Sequence, residues 1–209
     1  MNNPNIKSII FDLGGVIINL DPQLTFDAFK IAGAEGFESE FIEFNRSEIF
    51  DEFEKGQLSP AAFRTALTQQ LGLNISEKAF DNIWNKLLLD IPNERINLIR
   101  KLSKKYQIYL LSNTNAIHMQ HINNMLQEQF GWDNFNAIFH KAYLSYEMGL
   151  IKPDPAIFET IINNHQLSAN ETLFIDDSAV HTASAQKLGI NTIHFERNGD
   201  LQAVFKDYY

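Results

Sequence analysis

A chain of 209 residues with 44% hydrophobic and 21% charged residues can bury a sizeable core, which excludes a disordered or fibrous protein. It holds no cysteine, so disulfides and thiolate chemistry are excluded, and its net charge of -9 disfavours nucleic acid as a partner. No stretch approaches the ~20 apolar residues of a membrane-spanning helix, and Asp12 interrupts the N-terminal apolar run, so the expected location is the cytoplasm with no membrane contact.

The first predicted element is a strand over about Lys7 to Phe11, whose β-branched Ile9 and Ile10 suit a strand covered on both faces. It delivers Asp12 to a turn made by Gly14 and Gly15, at the kind of strand end where open α/β sheets bind ligands. From Asp21 to about Asp90 the periodicity is helical. Phe26, Phe29 and Ile31, then Phe37, Phe41 and Phe44, then Ile49, Phe50 and Phe53 recur at helix spacing, as expected of the core of a small helix bundle. Arg46, among polar neighbours, reads as surface, and the sequons at Asn45, Asn74 and Asn170 are coincidental in a cytoplasmic protein. Ser59-Pro60 opens a helix that runs to Leu71 before Gly72, and Ser76 caps the next, with Phe80, Ile83, Trp84, Leu87 and Leu88 before Pro92.

From Asn93 helices and strands alternate, which is the signature of a parallel sheet with crossover helices. The predicted order is a helix with Ile96, Ile99 and Leu102, a strand Ile108 to Leu111, a helix after Asn115 and a short strand at Ala137 to Phe139. A helix after Pro155, a strand Thr172 to Ile175, a helix Ala179 to Leu188 closed by Gly189, a strand Asn191 to His194 and a short C-terminal helix complete it. Ser168 and Glu171 mimic a capping box, but a strand follows them. Arg100, Lys101, Lys104 and Lys105 read as a solvated helix end. The fold class is therefore α/β: a Rossmann-like parallel sheet with helices on both faces, formed by residues 1–18 and 92–209, plus an inserted all-α bundle over 19–91.

Three further polar groups stand where loops follow strands or lead into helices. Ser112 and Asn113 follow Leu111 and can donate hydrogen bonds to an anion, while Thr114 or Asn115 caps the following helix. Lys152 precedes Pro153, which restricts its backbone and aims its side chain, and Asp154-Pro155 opens the next helix. Asp176 and Asp177 end an apolar strand as an adjacent acidic pair that asks for a cation, and a hard ion such as Mg²⁺ prefers oxygen ligands.

In order, Phe11-Asp12-Leu13-Gly14-Gly15-Val16, Leu110-Leu111-Ser112-Asn113, Gly149-Leu150-Ile151-Lys152-Pro153-Asp154-Pro155 and Phe174-Ile175-Asp176-Asp177-Ser178 resemble the four motifs of the haloacid dehalogenase superfamily. The helical insert resembles that superfamily's C1 cap, and the motifs are most similar to the branch containing the bacterial glucose-1-phosphate phosphatase. The resemblance implies a Mg²⁺-dependent phosphatase of a small phosphorylated metabolite such as a sugar phosphate. It makes Asp12 the nucleophile that becomes an aspartyl-phosphate, with Mg²⁺ on Asp12, the Gly14 carbonyl and Asp177. Ser112, Asn113 and Lys152 would then bind the phosphoryl group, and Asp176 would hold Lys152 or a metal-bound water.

One position departs from the pattern. Most phosphatases of the superfamily carry a general acid two residues after the nucleophile, where this chain has Gly14. Asp21 is the substitute nearest in sequence, and His181, where the superfamily has a late acid, reads as a supporting or surface residue. A 2-haloacid dehalogenase-type hydrolase and a catalytically attenuated binding or regulatory protein are the alternatives.

Overall fold

The computed structural model describes residues 5–34, 48–206 and 208. Phe37, Phe41, Phe44, Asn45 and Arg46 lie outside the described residues. Five parallel strands form one sheet in the order β3-β2-β1-β4-β5, namely Lys141–Leu144, Gln107–Ser112, Ser8–Phe11, Thr172–Asp176 and Asn191–His194. Every residue of the central β1 is buried.

The pleat divides the apolar side chains between two faces. Ile9, Phe11, Ile108, Leu110, Leu173 and Ile175 enter one core with the helices Asn93–Leu102 and Ala116–Phe130. Ile10, Tyr109, Leu111 and Phe174 enter the other, against Pro155–Asn164 and Ala185. This period-two split is why the strands read as continuous apolar runs: both faces are covered. Because the strands are parallel, Asp12, Ser112 and Asp176 emerge on the same edge of the sheet, with Phe11 in register with Leu110 and Ile175.

Between β1 and Pro92 the described chain carries the helices Pro22–Ile31, Glu48–Glu54, Pro60–Gln70 and Glu77–Trp84. Ser59 and Ser76 accept from the backbone N–H groups of Ala62 and Ala79, as their positions before apolar periodic segments predict. Leu87 and Leu88 follow that last helix, at the end of a 3₁₀ turn. Phe29, Phe53, Phe63, Phe80 and Trp84 form an aromatic core joined by Ile117 from the α/β body, and Phe53 and Phe63 stack with centroids 3.8 Å apart. Burying side chains of this size contributes roughly 1.5–3 kcal/mol each. The segment's entry and exit are tied together by the Asn19 N–H to the Asp90 carbonyl (3.0 Å) and the Leu89 N–H to the Asn19 carbonyl (2.9 Å).

One strand is displaced from its predicted position. Phe135–Ala137 is a 3₁₀ turn, and the strand is Lys141–Leu144. Phe139 is buried and packs edge-on against Phe11 and Phe135, while Ala137 is exposed and Ile138 half-buried, so this apolar stretch sends one ring into the core from a turn, which apolarity alone does not distinguish from a strand. A four-residue helix, Ser145–Met148, was not foreseen.

Candidate active site

Lys152 stands at the centre of the strand-end cluster. Its ammonium, with the side chain 1% exposed, donates to Asp12 Oδ1 (2.8 Å), Asp176 Oδ2 (2.6 Å) and the Leu111 carbonyl (3.1 Å). Its backbone is clamped at two points by Asn113, whose Oδ1 accepts from the Lys152 N–H (2.8 Å) and whose Nδ2 donates to the Lys152 carbonyl (2.9 Å). The Lys152-Pro153 peptide is cis. Asn113 was expected to bind an anion. Its side chain is committed to holding Lys152.

The three charges set one another's state. Burial pushes Asp12 above the ordinary carboxylate range; the Lys152 ammonium pulls it down and the Asp176 charge adds to the rise. Burial would likewise raise Asp176, but Lys152 and His181 outweigh it and hold Asp176 low. Burial opposes the Lys152 charge, and the two carboxylates overcome that and keep it firmly protonated. Asp176 also accepts from the Ser178 N–H (2.7 Å), and His181 Nδ1 lies 3.1 Å from each of its oxygens. Asp176 is thereby saturated, and His181 supports it from outside.

Asp177 points back toward the glycine turn. Arg197 Nε donates to its Oδ2 (2.5 Å), and a Cβ on Gly15, whose φ is +72°, would lie 2.8 Å from that oxygen. A glycine is required there twice over, for its backbone conformation and for the close approach. Asp12, Asp176 and Asp177 can each bring one carboxylate oxygen within 4.8 Å of the others. Opposite ligands of a Mg²⁺ ion stand about 4 Å apart, so this oxygen-only set fits a small hard dication. Among the described residues, Lys152 and the exposed Arg197, with His181 beside Asp176, are the basic groups paired to these three carboxylates, and the excess of acids over fixed cations favours binding of a cation.

Next to this cluster, bounded by the residues that flank it in sequence, opens a cavity of about 420 Å³ lined by Gly14, Ser112, Asn113, Thr114, Glu54, His118 and Arg197, with apolar walls that include Phe26, Phe50, Trp84 and Leu88. Ser112 is 3% exposed, and its loop is pinned by Ser145 Oγ, which accepts from the Thr114 N–H and donates to the Thr114 carbonyl, both at 2.9 Å. Asn115, not Thr114, caps the helix that follows. Asp21 caps Pro22–Ile31 by accepting from the Gln23 N–H (3.0 Å) and is not among the residues that line the cavity. At Gly14 a Cβ would fall 2.7 Å from Leu20 Cδ1, so Leu20 occupies the space of the missing side chain.

Glu54 was not singled out from sequence. It ends Glu48–Glu54 one turn beyond Phe50, and both face the cavity. Burial, with the charge of Asp51, raises its carboxyl to about 7 against the pull of Lys152. His118 is kept neutral: burial lowers it to about 3, its ring stacks on Trp84 (centroids 5.3 Å apart), and its Nδ1 lies 2.8 Å from Asn85 Oδ1.

The model of the haloacid dehalogenase-like hydrolases matches residues 6–189. The chain belongs to that family. It is 32% identical to a D-ribitol-5-phosphate phosphatase of Bacteroides thetaiotaomicron over 93% of this chain and 94% of the relative. A sesquiterpene phosphatase of Aspergillus oryzae is 29% identical over 90% of this chain and 89% of its own length. Among solved structures, a family enzyme of Bacteroides thetaiotaomicron in complex with magnesium and inorganic phosphate superposes with a TM-score of 0.86, at 39% identity over 96% of this chain and 99% of that one. Among the described residues of this family member, no helix is long and apolar enough to cross a membrane.

Proposed function

We propose that this chain is a Mg²⁺-dependent phosphomonoesterase acting on a small phosphorylated metabolite. The observation that carries the reading is Asp12 held 2.8 Å from a buried Lys152, with Asp177 beside it, next to a cavity of about 420 Å³ whose wall includes the neighbouring Leu13, Gly14 and Ser112. A carboxylate alone would repel a phosphate ester; here a fixed ammonium meets the incoming charge. Asp12 attacks phosphorus, and water hydrolyses the resulting aspartyl-phosphate. Lys152 and the Ser112 hydroxyl, with the Asn113 backbone N–H, bind the phosphoryl oxygens, and Asp176 keeps Lys152 aimed. Asp12, the Gly14 carbonyl and Asp177 would hold Mg²⁺, which when bound supplies charge neutralisation and orientation of the phosphoryl group. The segment 19–91 is a cap over a core of 1–18 and 92–209, since its Phe50, Glu54 and Trp84 supply cavity wall opposite Ser112 and Asn113.

The similarity to a D-ribitol-5-phosphate phosphatase favours a polyol or sugar phosphate. The apolar walls of the cavity support a second substrate class, an isoprenoid phosphate, in line with the sesquiterpene phosphatase relative. A 2-haloacid dehalogenase has no use for a dication, and the acidic triad weighs against that alternative. The test is phosphate release from D-ribitol 5-phosphate, glucose 1-phosphate and farnesyl phosphate, with Mg²⁺ and with EDTA. Mg²⁺-dependent release that Asp12→Asn abolishes is expected; chloride release from 2-chloropropionate without metal, or no turnover of any ester, would overturn the proposal.

A further inference from the structure

Resting on the phosphatase reading, we propose that Glu54 is the general acid and base of the reaction, supplied by the helical segment in place of the acid that Gly14 cannot provide. The geometry is that of one shared cavity. Glu54 lies on its wall with Gly14, Ser112 and Asn113, the residues beside which the phosphoryl group would sit. Leu20 closes the position from which a side chain at residue 14 would act.

Glu54 is costly where it stands. A carboxylate in the last turn of a helix faces the negative end of the helix dipole, and this one is also half-buried beside apolar Phe50 and Trp84. Among the described residues it has no hydrogen-bond or ion-pair partner. A group kept for packing would be apolar here, and one kept for stability would be paired. The charges acting on it are Asp51 on its own helix and Lys152 and Asp12 across the cavity, and the outcome is a carboxyl that exchanges its proton near neutrality.

Its position is also fixed. Two residues on, Gly56 adopts φ +67°, and a Cβ there would run into the Tyr146 carbonyl oxygen, so the chain just past Glu48–Glu54 sits directly on the short helix Ser145–Met148 that follows β3. Only glycine permits that approach, and it sets Glu54 against the strand-end cluster.

The proton balance closes. As the Asp12 oxygen bonds to phosphorus, the ester P–O bond breaks and its electron pair stays on the leaving oxygen, which takes the Glu54 proton. The Glu54 carboxylate then accepts a proton from the water that attacks the aspartyl-phosphate. That water's oxygen bonds to phosphorus, the bond to Asp12 breaks, and both carboxyl groups return to their starting states.

The experiment compares Glu54→Gln with the unsubstituted chain on the best alkyl ester of the panel above and on 4-nitrophenyl phosphate, whose leaving oxygen needs no proton. Expected is a loss in kcat/KM of about 10²- to 10⁴-fold on the alkyl ester and of less than about tenfold on 4-nitrophenyl phosphate. Retained 4-nitrophenyl phosphate turnover also shows that the variant is folded. Equal losses on the two esters, or no loss on either, overturn the role of Glu54 while leaving the phosphatase reading intact. An unsubstituted chain that hydrolyses neither ester overturns both.

Discussion

Replacing Lys152 by methionine isolates the electrostatics of the site. The ammonium makes three hydrogen bonds, two to carboxylates, and its side chain is 1% exposed. Methionine keeps much of the volume but leaves Asp12 and Asp176 as adjacent buried charges. Removing one partner of a buried ion pair destabilises by about 3–5 kcal/mol, most of it the burden of the charge left behind. That burden depends on pH. Without Lys152, burial and mutual repulsion raise both carboxyls above their unfolded values, so the folded variant binds protons more readily than its unfolded chain. Its deficit is therefore largest above pH 7 and shrinks as pH falls through the raised range, because protonation removes the repulsion. Urea denaturation in EDTA at pH 8 and pH 5.5 checks this. A deficit of about 3–5 kcal/mol at pH 8 that contracts by at least about 1 kcal/mol at pH 5.5 is expected. A deficit equal at the two pH values would mean that packing, not charge, explains it, and a deficit below about 1 kcal/mol would refute the burial argument. Phosphatase activity should fall about 10²- to 10³-fold in the same variant.

His118→Gln should flatten part of the acid sensitivity. His118 is lowered to about 3 from an ordinary 6.5, so its contribution is fully present above pH 6.5 and is lost as pH falls toward 3. Comparing urea midpoints at pH 7.5 and 5, the stability gap between the two proteins should narrow by roughly 1–2 kcal/mol in acid, and a constant gap would show that His118 titrates normally. Gly56→Ala places a side chain at φ +67° against the Tyr146 carbonyl oxygen. It should lower Tm by roughly 2–8 °C and cut alkyl phosphate turnover more than 4-nitrophenyl phosphate turnover, with equal effects on the two esters counting against the placement of Glu54.

How much of this was legible varied with the range of the interaction. Asp12, Lys152, Asp176 and Asp177 could be named because each sits beside a local marker, an apolar run that ends, a glycine pair or a proline. The parallel sheet followed from alternating periodicities, and the helix starts at Ser59, Ser76, Asn115 and Asp154 from capping chemistry that operates within one turn. The strand at Lys141–Leu144 was misplaced because apolarity measures burial and does not distinguish a buried turn from a strand.

What the sequence by itself determined is therefore the order of the elements and which acids and which lysine end them. Only the tertiary structure decided what those groups touch. It committed the Asn113 amide to the Lys152 backbone, Asp21 to a helix cap and His181 to Asp176, and it put Leu20 where a side chain at Gly14 would lie. It also brought Glu54 to the cavity from a helix whose pattern marks only its apolar face, Phe50 and Phe53, and not what that face meets. Local propensity acts over a few residues along the chain, whereas the surroundings of a carboxylate depend on segments distant in sequence that packing alone brings together.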